Sequence, residues 1–380
     1  MRRGSFFRGG WPPVTDFRRI LIVKLSAMGD VVHALPVVSY LRRAAPSAEI
    51  HWAVDTRFAD LLEGNPGIAK VVPLPIKEWK GRAGSPGTWR EALAAASALR
   101  RERYDVAFDV QGNIKSGVVT WLSGAPLRYG FPRETARERQ NLWFTNRRSA
   151  ASVGDRHVTG KILRVASGPF GGEFRLDDLK GEIANTPEEI AAAERLLFDA
   201  VPGAAPRLAV HPGTTWNTKR MDPEFWAETV RLLHGTFPSM GAFLSWGTDR
   251  EREECLAIRE LAGGRVKLLP HLGYKALAAV YRACGHMIGP DTGPLHLAAA
   301  VGAKTVSVFR GSDGKYAAPV GPAHRFLQAP LPCTACQIKG DKVCPRDAEC
   351  RASIHPAEVA AAMAELIAGS GVAAAGKNDP

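Results

Sequence analysis

Arg18-Arg-Ile-Leu-Ile-Val-Lys-Leu-Ser-Ala-Met-Gly-Asp30 decides how the rest of the chain is read. The apolar run Ile20-Leu-Ile-Val23 reads as a buried strand, and the small turn Leu25-Ser-Ala-Met-Gly-Asp30 ends it. Val31, Val32, Leu35, Val38 and Leu41 then recur at helical spacing, which predicts one helix after the turn. Outward from this unit the alternation continues. Residues 49–54 and 70–74 are strand-like, 58–62 helix-like, 89–103 strongly helical, and 104–110 strand-like up to Gln111-Gly112. Strands alternating with helices predict a parallel sheet covered on both faces.

Around residues 175–206 the character changes: Asp177-Asp178, a helical stretch over 187–200, then Val201-Pro-Gly-Ala-Ala-Pro206. Beyond it the pattern restarts. Strands are expected at 207–211, 242–245, 286–289 and 305–309, and helices at 223–233, 250–261, 274–283, from about Pro294, and at 355–368. The expected organisation is a basic disordered tail at 1–17, one Rossmann-like domain at 18–182 and a second at 183–354. A C-terminal helix at 355–369 and a disordered tail at 370–380 complete it. Two such units predict ligands at the carboxyl ends of the strands, in a cleft between domains.

With 380 residues, 45% of them hydrophobic, the chain has material for two ordinary domains. No apolar run approaches the roughly 20 residues that span a bilayer, and the basic start lacks the apolar core of a secretory signal. A cytosolic protein is expected. Charge is lopsided: 29 Lys and Arg stand against 18 Asp and Glu up to residue 185, and 21 against 20 after it, for a total of +12. A one-sided positive field suits nucleic acid, anionic headgroups or a polyanionic glycolipid, unless it is only a generally basic surface.

Three motifs carry chemistry. Gly289-Pro-Asp-Thr-Gly-Pro-Leu-His296 follows a strand and opens a helix. Gly293 admits a ligand close to the backbone, helix-start amides favour an anion, and Asp291, Thr292 and His296 add polar groups. A diphosphate fits; so does a plain helix cap by Asp or Thr. His211-Pro-Gly-Thr-Thr-Trp-Asn-Thr-Lys219 offers two hydroxyls, Thr214 and Thr215, and a point charge at Lys219 for phosphate oxygens. It lacks P-loop spacing, and no Gly-x-Gly-x-x-Gly follows a strand, which argues against a nicotinamide-dependent dehydrogenase. No Asp-x-Asp pair stands at a strand end, so leaving-group charge would fall to helix amides and Lys219. In Ser26-Ala-Met-Gly-Asp30, Asp30 is placed to act as a general base, or simply to cap its helix.

Lys24, Lys77, Lys80, Lys115, Arg133 and Arg137 are the basic groups expected to face an acidic acceptor. Cys255 and Cys284 read as buried helical thiols. Cys333, Cys336, Cys344 and Cys350 include one short metal-like pair in an irregular frame, leaving metal binding, redox pairing and packing open.

In this order the three motifs resemble glycosyltransferase family 9, the lipopolysaccharide heptosyltransferases. The similarity runs from about Arg19 to the last helix. Leu21-Ile-Val-Lys-Leu-Ser-Ala-Met-Gly-Asp-Val-Val-His-Ala-Leu-Pro36, Gln111-Gly-Asn-Ile-Lys-Ser116 and Thr135-Ala-Arg-Glu138 are closer to heptosyltransferase I than to II. The resemblance implies an α/β GT-B fold, two Rossmann-like domains facing across a cleft. It further implies ADP-L-glycero-β-D-manno-heptose as donor, Kdo on lipid A as acceptor, and inversion at the anomeric carbon. No cofactor, metal or nucleic acid is implied. A lipid-linked acceptor implies peripheral contact with the inner face of the cytoplasmic membrane.

By position, Asp30 matches the family's base, and Lys24 and Arg137 match basic residues near the acceptor. Thr214, Thr215 and Lys219 match contacts to donor phosphate and sugar, and Glu251 in Trp246-Gly-Thr-Asp-Arg-Glu251 matches a ribose-binding carboxylate. Asp291, Thr292, Gly293 and His296 match the loop that holds diphosphate and heptose. Leu272 stands where heptosyltransferase I has Met beside the nucleotide, and Glu78 in Lys77-Glu-Trp-Lys80 replaces a basic residue. The cysteine cluster is similar to that of other members, the heptosyltransferase II type included. Two alternatives remain at this point: a family 9 enzyme using another nucleotide sugar or a polysaccharide acceptor, and a non-catalytic glycan- or nucleotide-binding module.

Overall fold

The computed structural model describes residues 16–149, 156–171, 173–176 and 180–369. The expected tail at 370–380, the Asp177-Asp178 pair and all of the 1–17 tail except Asp16 and Phe17 lie outside them. The chain divides into two compact units. The first holds the residues through Ser26 together with His33–Gly181; the second holds Ala27–Val32 and the residues from Glu182 onward. Nothing in the sequence pattern signalled that Ala27–Val32 groups with the later residues.

In the first unit, β1 (Arg19–Val23), β2 (Glu49–Asp55), β3 (Lys70–Leu74), β4 (Val106–Asp109), β5 (Leu127–Gly130) and β6 (Arg147–Arg148) form one sheet in the order β3-β2-β1-β4-β5-β6. Every pairing is parallel, with Leu21 between His51 and Ala107. Ile20, Leu21, Ile22 and Val23 are all fully buried, as a central strand covered on both faces requires.

The helix expected after β1 is two helices, α1 (Met28–Ala34) and α2 (Pro36–Ala44). Pro36 has no N–H to donate and its ring crowds the preceding turn, so it ends one helix and starts the next. Next come α3 (Ile76–Gly81), α4 (Pro86–Arg101), α5 (Ile114–Leu122) and α6 (Val158–Ser167). Right-handed crossovers put α4 and α5 on one sheet face and α2 on the other. Leu99 and Val119 seal the first of these faces over Leu21, Val23, Ala53 and Ala107.

The second unit repeats the design. Strands β7 (Arg207–Val210), β8 (Gly241–Leu244), β9 (Val266–Leu268), β10 (His286–Pro290), β11 (Lys304–Phe309) and β12 (His324–Gln328) run in the order β12-β11-β10-β7-β8-β9, all parallel. Counted from its own first strand, that order is identical to the first sheet's. The helices are α7 (Pro187–Ala200), α8 (Pro223–Thr236), α9 (Asp249–Ala262), α10 (Tyr274–Cys284), α11 (Gly293–Ala300), α12 (Gly314–Ala317), α13 (Asp347–Ala352) and α14 (Pro356–Ala368). The last is part of the core, with Val359, Met363 and Leu366 packed with Trp226, Leu233, Val306 and Val308. Cys255 and Cys284 are buried in α9 and α10, and burial pushes the Cys284 thiol up to about 12. In each sheet the strand order reverses once, between β1 and β4 and between β7 and β10. Open α/β sheets bind ligands at such points, beyond the carboxyl ends of the strands.

Candidate active site

At the reversal point of the second sheet, β7 runs into the loop from His211 to Lys219 and β10 into the loop from Asp291 to His296. The two are joined side chain to side chain. Lys219 Nζ donates to Asp291 Oδ2 at 2.5 Å, and Asp291 Oδ1 lies 3.2 Å from His296 Nε2. Thr214 Oγ1 donates to the Asp291 carbonyl at 3.4 Å. Asp291, His296 and Thr214 are buried. Burial alone would raise the Asp291 carboxyl, but the His296 hydrogen bond and the Lys219 charge outweigh it and hold the group far below the usual carboxylate range. Thr292 stands at the N-cap of α11 without a side-chain cap bond. The Asp291 carboxylate is engaged elsewhere, so neither residue acts as the plain helix cap considered above.

Gly213 lies against Glu251: a Cβ at Gly213 would fall 2.4 Å from Glu251 Cδ. Glu251 Oε2 accepts from the Gly247 and Thr248 amides at 2.8 and 3.1 Å, and Thr248 completes a capping box that starts α9. The loop after β8 therefore sets the Glu251 carboxylate beside the loop after β7. Thr215 is exposed and Leu272 half-buried in the turn before α10.

Residues that pattern reading passed over support these loops. His211 Nδ1 lies 3.0 Å from Ser245 Oγ, itself 2.8 Å from the Tyr281 hydroxyl. Arg220 donates twice to the Thr214 carbonyl, at 3.2 and 3.0 Å, and once to Glu254 at 3.1 Å. The one available signal for Arg220 was its place next to Lys219.

Asp30 occupies the third position of α1 rather than the cap. Its Oδ2 accepts from the Ala27 amide at 3.3 Å, which holds the turn closed. Within the second unit this turn packs tightly on the loop after β10. A Cβ at Gly29 would lie 3.2 Å from His296 Cδ2, and one at Gly293 would lie 2.4 Å from Met28 Cε. The Gly29 contacts are to a ring and to backbone, so that position has little slack, whereas the flexible end of Met28 can move aside at Gly293 and leaves the Gly29 amide nitrogen at 3.3 Å as the nearest backbone atom.

In the first unit, Lys24, Lys77, Lys80, Lys115 and Arg137 all follow carboxyl ends of parallel strands, so they belong to one edge of the sheet. Lys77, Lys80, Lys115, Arg133 and Arg137 are exposed. Lys24 is instead 3% exposed and donates to the Val110 carbonyl at 3.1 Å. Beside it lies a network with no assigned role in the sequence reading. Asp109, fully buried, accepts from the Gln111 and Gly112 amides, Ser116 Oγ and Asn141 Nδ2. Gln111 Oε1 in turn accepts from the Leu25 and Ser26 amides at 2.6 and 3.2 Å, bracing the turn that leads to Asp30.

Among the described residues, no three His, Cys, Asp or Glu side chains are grouped to hold a metal ion. Cys333, Cys336, Cys344 and Cys350 are unpaired with one another, and the segment after the first two is tied to the loop after β7. Thr218 Oγ1 donates to the Ile338 carbonyl at 2.7 Å, and the Asn217 amide to the Gly340 carbonyl at 3.0 Å.

The sequence model of glycosyltransferase family 9 (heptosyltransferase) matches residues 92–345. The chain belongs to glycosyltransferase family 9. Lipopolysaccharide heptosyltransferase 1 of Pseudomonas aeruginosa is 30% identical over 326 residues, spanning 84% of this chain and 86% of that one. The Escherichia coli K12 protein of the same name is 26% identical over 312 residues, 82% of this chain and 94% of that one. Among solved structures, E. coli heptosyltransferase WaaC with ADP aligns at a TM-score of 0.72 and 25% identity, over 92% of this chain and 99% of that chain. E. coli ADP-heptose lps heptosyltransferase II, at 18% identity, shares the fold with a TM-score of 0.70 over 93% and 100%. This family 9 enzyme thus has the paired parallel sheets of GT-B glycosyltransferases, and its similarity to heptosyltransferase I, read from residues 21–36, agrees with the relatives named.

Proposed function

We propose that this family 9 enzyme transfers L-glycero-D-manno-heptose from ADP-heptose to a Kdo residue of the lipopolysaccharide inner core, with inversion. The Lys219–Asp291–His296 chain, with the Asp30 turn packed against it, is the observation that supports this most. Lys219 and the amides at the head of α11 receive the diphosphate, Thr214 and Thr215 its oxygens and the sugar, and Glu251 the ribose hydroxyls. Leu272 lies beside the base. The Asp291–His296 pair orients the heptose.

In the reaction a Kdo hydroxyl oxygen attacks the anomeric carbon on the face opposite the diphosphate. The bond from that carbon to the diphosphate oxygen breaks, ADP leaves with the electron pair, and Asp30 takes the hydroxyl proton. Negative charge that builds on the leaving oxygen is met by Lys219, which is already fixed by Asp291 and needs little reorganisation. Lys77, Lys80, Lys115 and Arg137 meet the carboxylates and phosphates of the acceptor, while Lys24 supports the turn from within. The names of the relatives support the donor and the lipopolysaccharide acceptor. No described helix is long and apolar enough to cross a membrane, which fits a cytoplasmic enzyme that visits the inner membrane surface.

Product analysis tests the reading. Purified protein with ADP-L-glycero-β-D-manno-heptose and Kdo-lipid A should give one added heptose, α-linked by NMR. Transfer only from a different nucleotide sugar, or only to a polysaccharide acceptor, would replace it.

A further inference from the structure

Of the five large apolar side chains exposed among the described residues of the first unit, three stand on the solvent side of two neighbouring helices. Trp89 and Leu93, 63% and 68% exposed, stand one turn apart on α4, and Trp121, 50% exposed, stands on the neighbouring α5. Leu93 and Trp121 line a single groove of about 670 Å³ together with Arg100, Arg101 and Arg103. The two helices lie side by side over the Leu99–Val119 core and run in the same direction, against the strands. Trp89 is therefore near the strand-carboxyl edge that carries Lys77 and Lys115, and the arginines are near the opposite edge.

Two tryptophans and a leucine held out to solvent are a poor choice for a surface that meets only water. Tryptophan settles at the headgroup level of a bilayer, where its ring is half desolvated and its N–H stays wet. Arginine stems lie along apolar surface while their guanidinium groups reach phosphate. The acidic groups of this face are already matched: Glu91 pairs with Arg82 at 3.2 Å and Glu102 with Lys70 at 2.5 Å.

We propose that the α4–α5 face of the first unit docks on an anionic phospholipid surface, with Trp89, Leu93 and Trp121 at the headgroup level and Arg100, Arg101 and Arg103 on lipid phosphates. Charge complementarity selects this occupant. Up to residue 185 the chain carries 29 Lys and Arg against 18 Asp and Glu, which suits an anionic membrane. A second copy of the same face would instead bring together two surfaces of the same positive sign, which repel. The proposal rests on the lipid-linked acceptor of the preceding section. It adds a reason why the acceptor edge is served: a sheet lying along the membrane through α4 and α5 keeps that edge within reach of a sugar whose acyl chains never leave the bilayer.

Sedimentation of the full-length protein with vesicles of phosphatidylethanolamine and phosphatidylglycerol, and with phosphatidylcholine vesicles, is the test. Binding should favour the anionic vesicles and weaken with salt. The combined variant Trp89→Ser, Leu93→Ser, Trp121→Ser should lose about tenfold or more in partition while keeping turnover on a deacylated, water-soluble acceptor. Should that variant fail to fold by circular dichroism, Arg100→Glu with Arg101→Glu is read in its place, with the same expected loss. Wild-type binding that ignores lipid charge, or folded variants that sediment like wild type, would overturn the proposal. So would a wild-type dimer that these substitutions convert to monomer, since the face would then join two copies. Failure of heptose transfer on the soluble acceptor would count against the proposed reaction and leave the vesicle result standing.

Discussion

The Lys219 ammonium lies 2.5 Å from Asp291 Oδ2, and both side chains are largely buried, at 13% and 9% exposure. Charge in the loop after β7 is thus balanced within the protein, and in the proposed reaction a diphosphate would share the ammonium with Asp291. Lys219→Met should strand a buried carboxylate and cost about 3 kcal/mol of stability. Adding Asp291→Asn should recover much of that loss without recovering ADP binding. The carboxyl is held below its ordinary value in the folded state, so its contribution is complete above the unfolded value of about 4 and fades as pH falls from there. The stability gap between wild type and Asp291→Asn should therefore narrow on acidification, which urea midpoints at a series of pH values would show.

The Asp30 turn owes its close approach to His296 to Gly29. An alanine Cβ at Gly29 would press on His296 Cδ2 at 3.2 Å and on Gly293 Cα at 3.3 Å. A backbone neighbour has to give by a few tenths of an ångström, at about 1 kcal/mol. Displacing a catalytic group by that much costs more in rate than in stability. Gly29→Ala should lower kcat by about tenfold or more with ADP affinity unchanged. Steady-state kinetics beside an ADP titration would check it; an unchanged kcat would mean the approach is incidental.

Most of the architecture could be read from apolar periodicity. The buried run Ile20–Val23, the Ala-rich helix α4 and the Gly289–His296 turn each speak through local chemistry, and four of the six strands of each sheet follow from the alternation. What escaped had no such periodicity. Helix α5 carries Gly117 at its centre, a residue that weakens an isolated helix by about 1 kcal/mol relative to alanine. The fold accepts it because Asn113 and Ser116 form a capping box and because a Cβ there would collide with Phe144 at 2.6 Å. Strand β5, Leu-Arg-Tyr-Gly, is only partly buried and shows no apolar run.

At the site, motif spacing nominated Lys219, Asp291 and His296 as separate candidates, and their joining through one carboxylate is a long-range fact. The grouping of Ala27–Val32 with residues far along the chain is another. Gln111 was invisible as a support because a hydrogen bond to the Leu25 amide across 86 positions leaves no local trace.

His211 offers a second pH test. Burial lowers its pKa to about 4, against about 6.5 for an unfolded histidine. The unfolded chain binds more protons between these values, so stability is full above about pH 6.5 and is lost as pH falls through that window. His211→Gln cannot titrate there. Its unfolding midpoint should change less than that of wild type between neutral pH and pH about 4. Parallel slopes for the two proteins would show that His211 does not stay neutral inside.

Asp30 bears the chemistry in this reading, and Asp30→Asn examines it most directly. Asparagine retains an oxygen for the Ala27 amide, so the turn and the packing of Gly29 on His296 should persist. With ADP-heptose and Kdo-lipid A, kcat should fall by about a hundredfold or more while calorimetric titration shows ADP bound as in wild type. Turnover at the wild-type rate would contradict the assignment of Asp30 as the base.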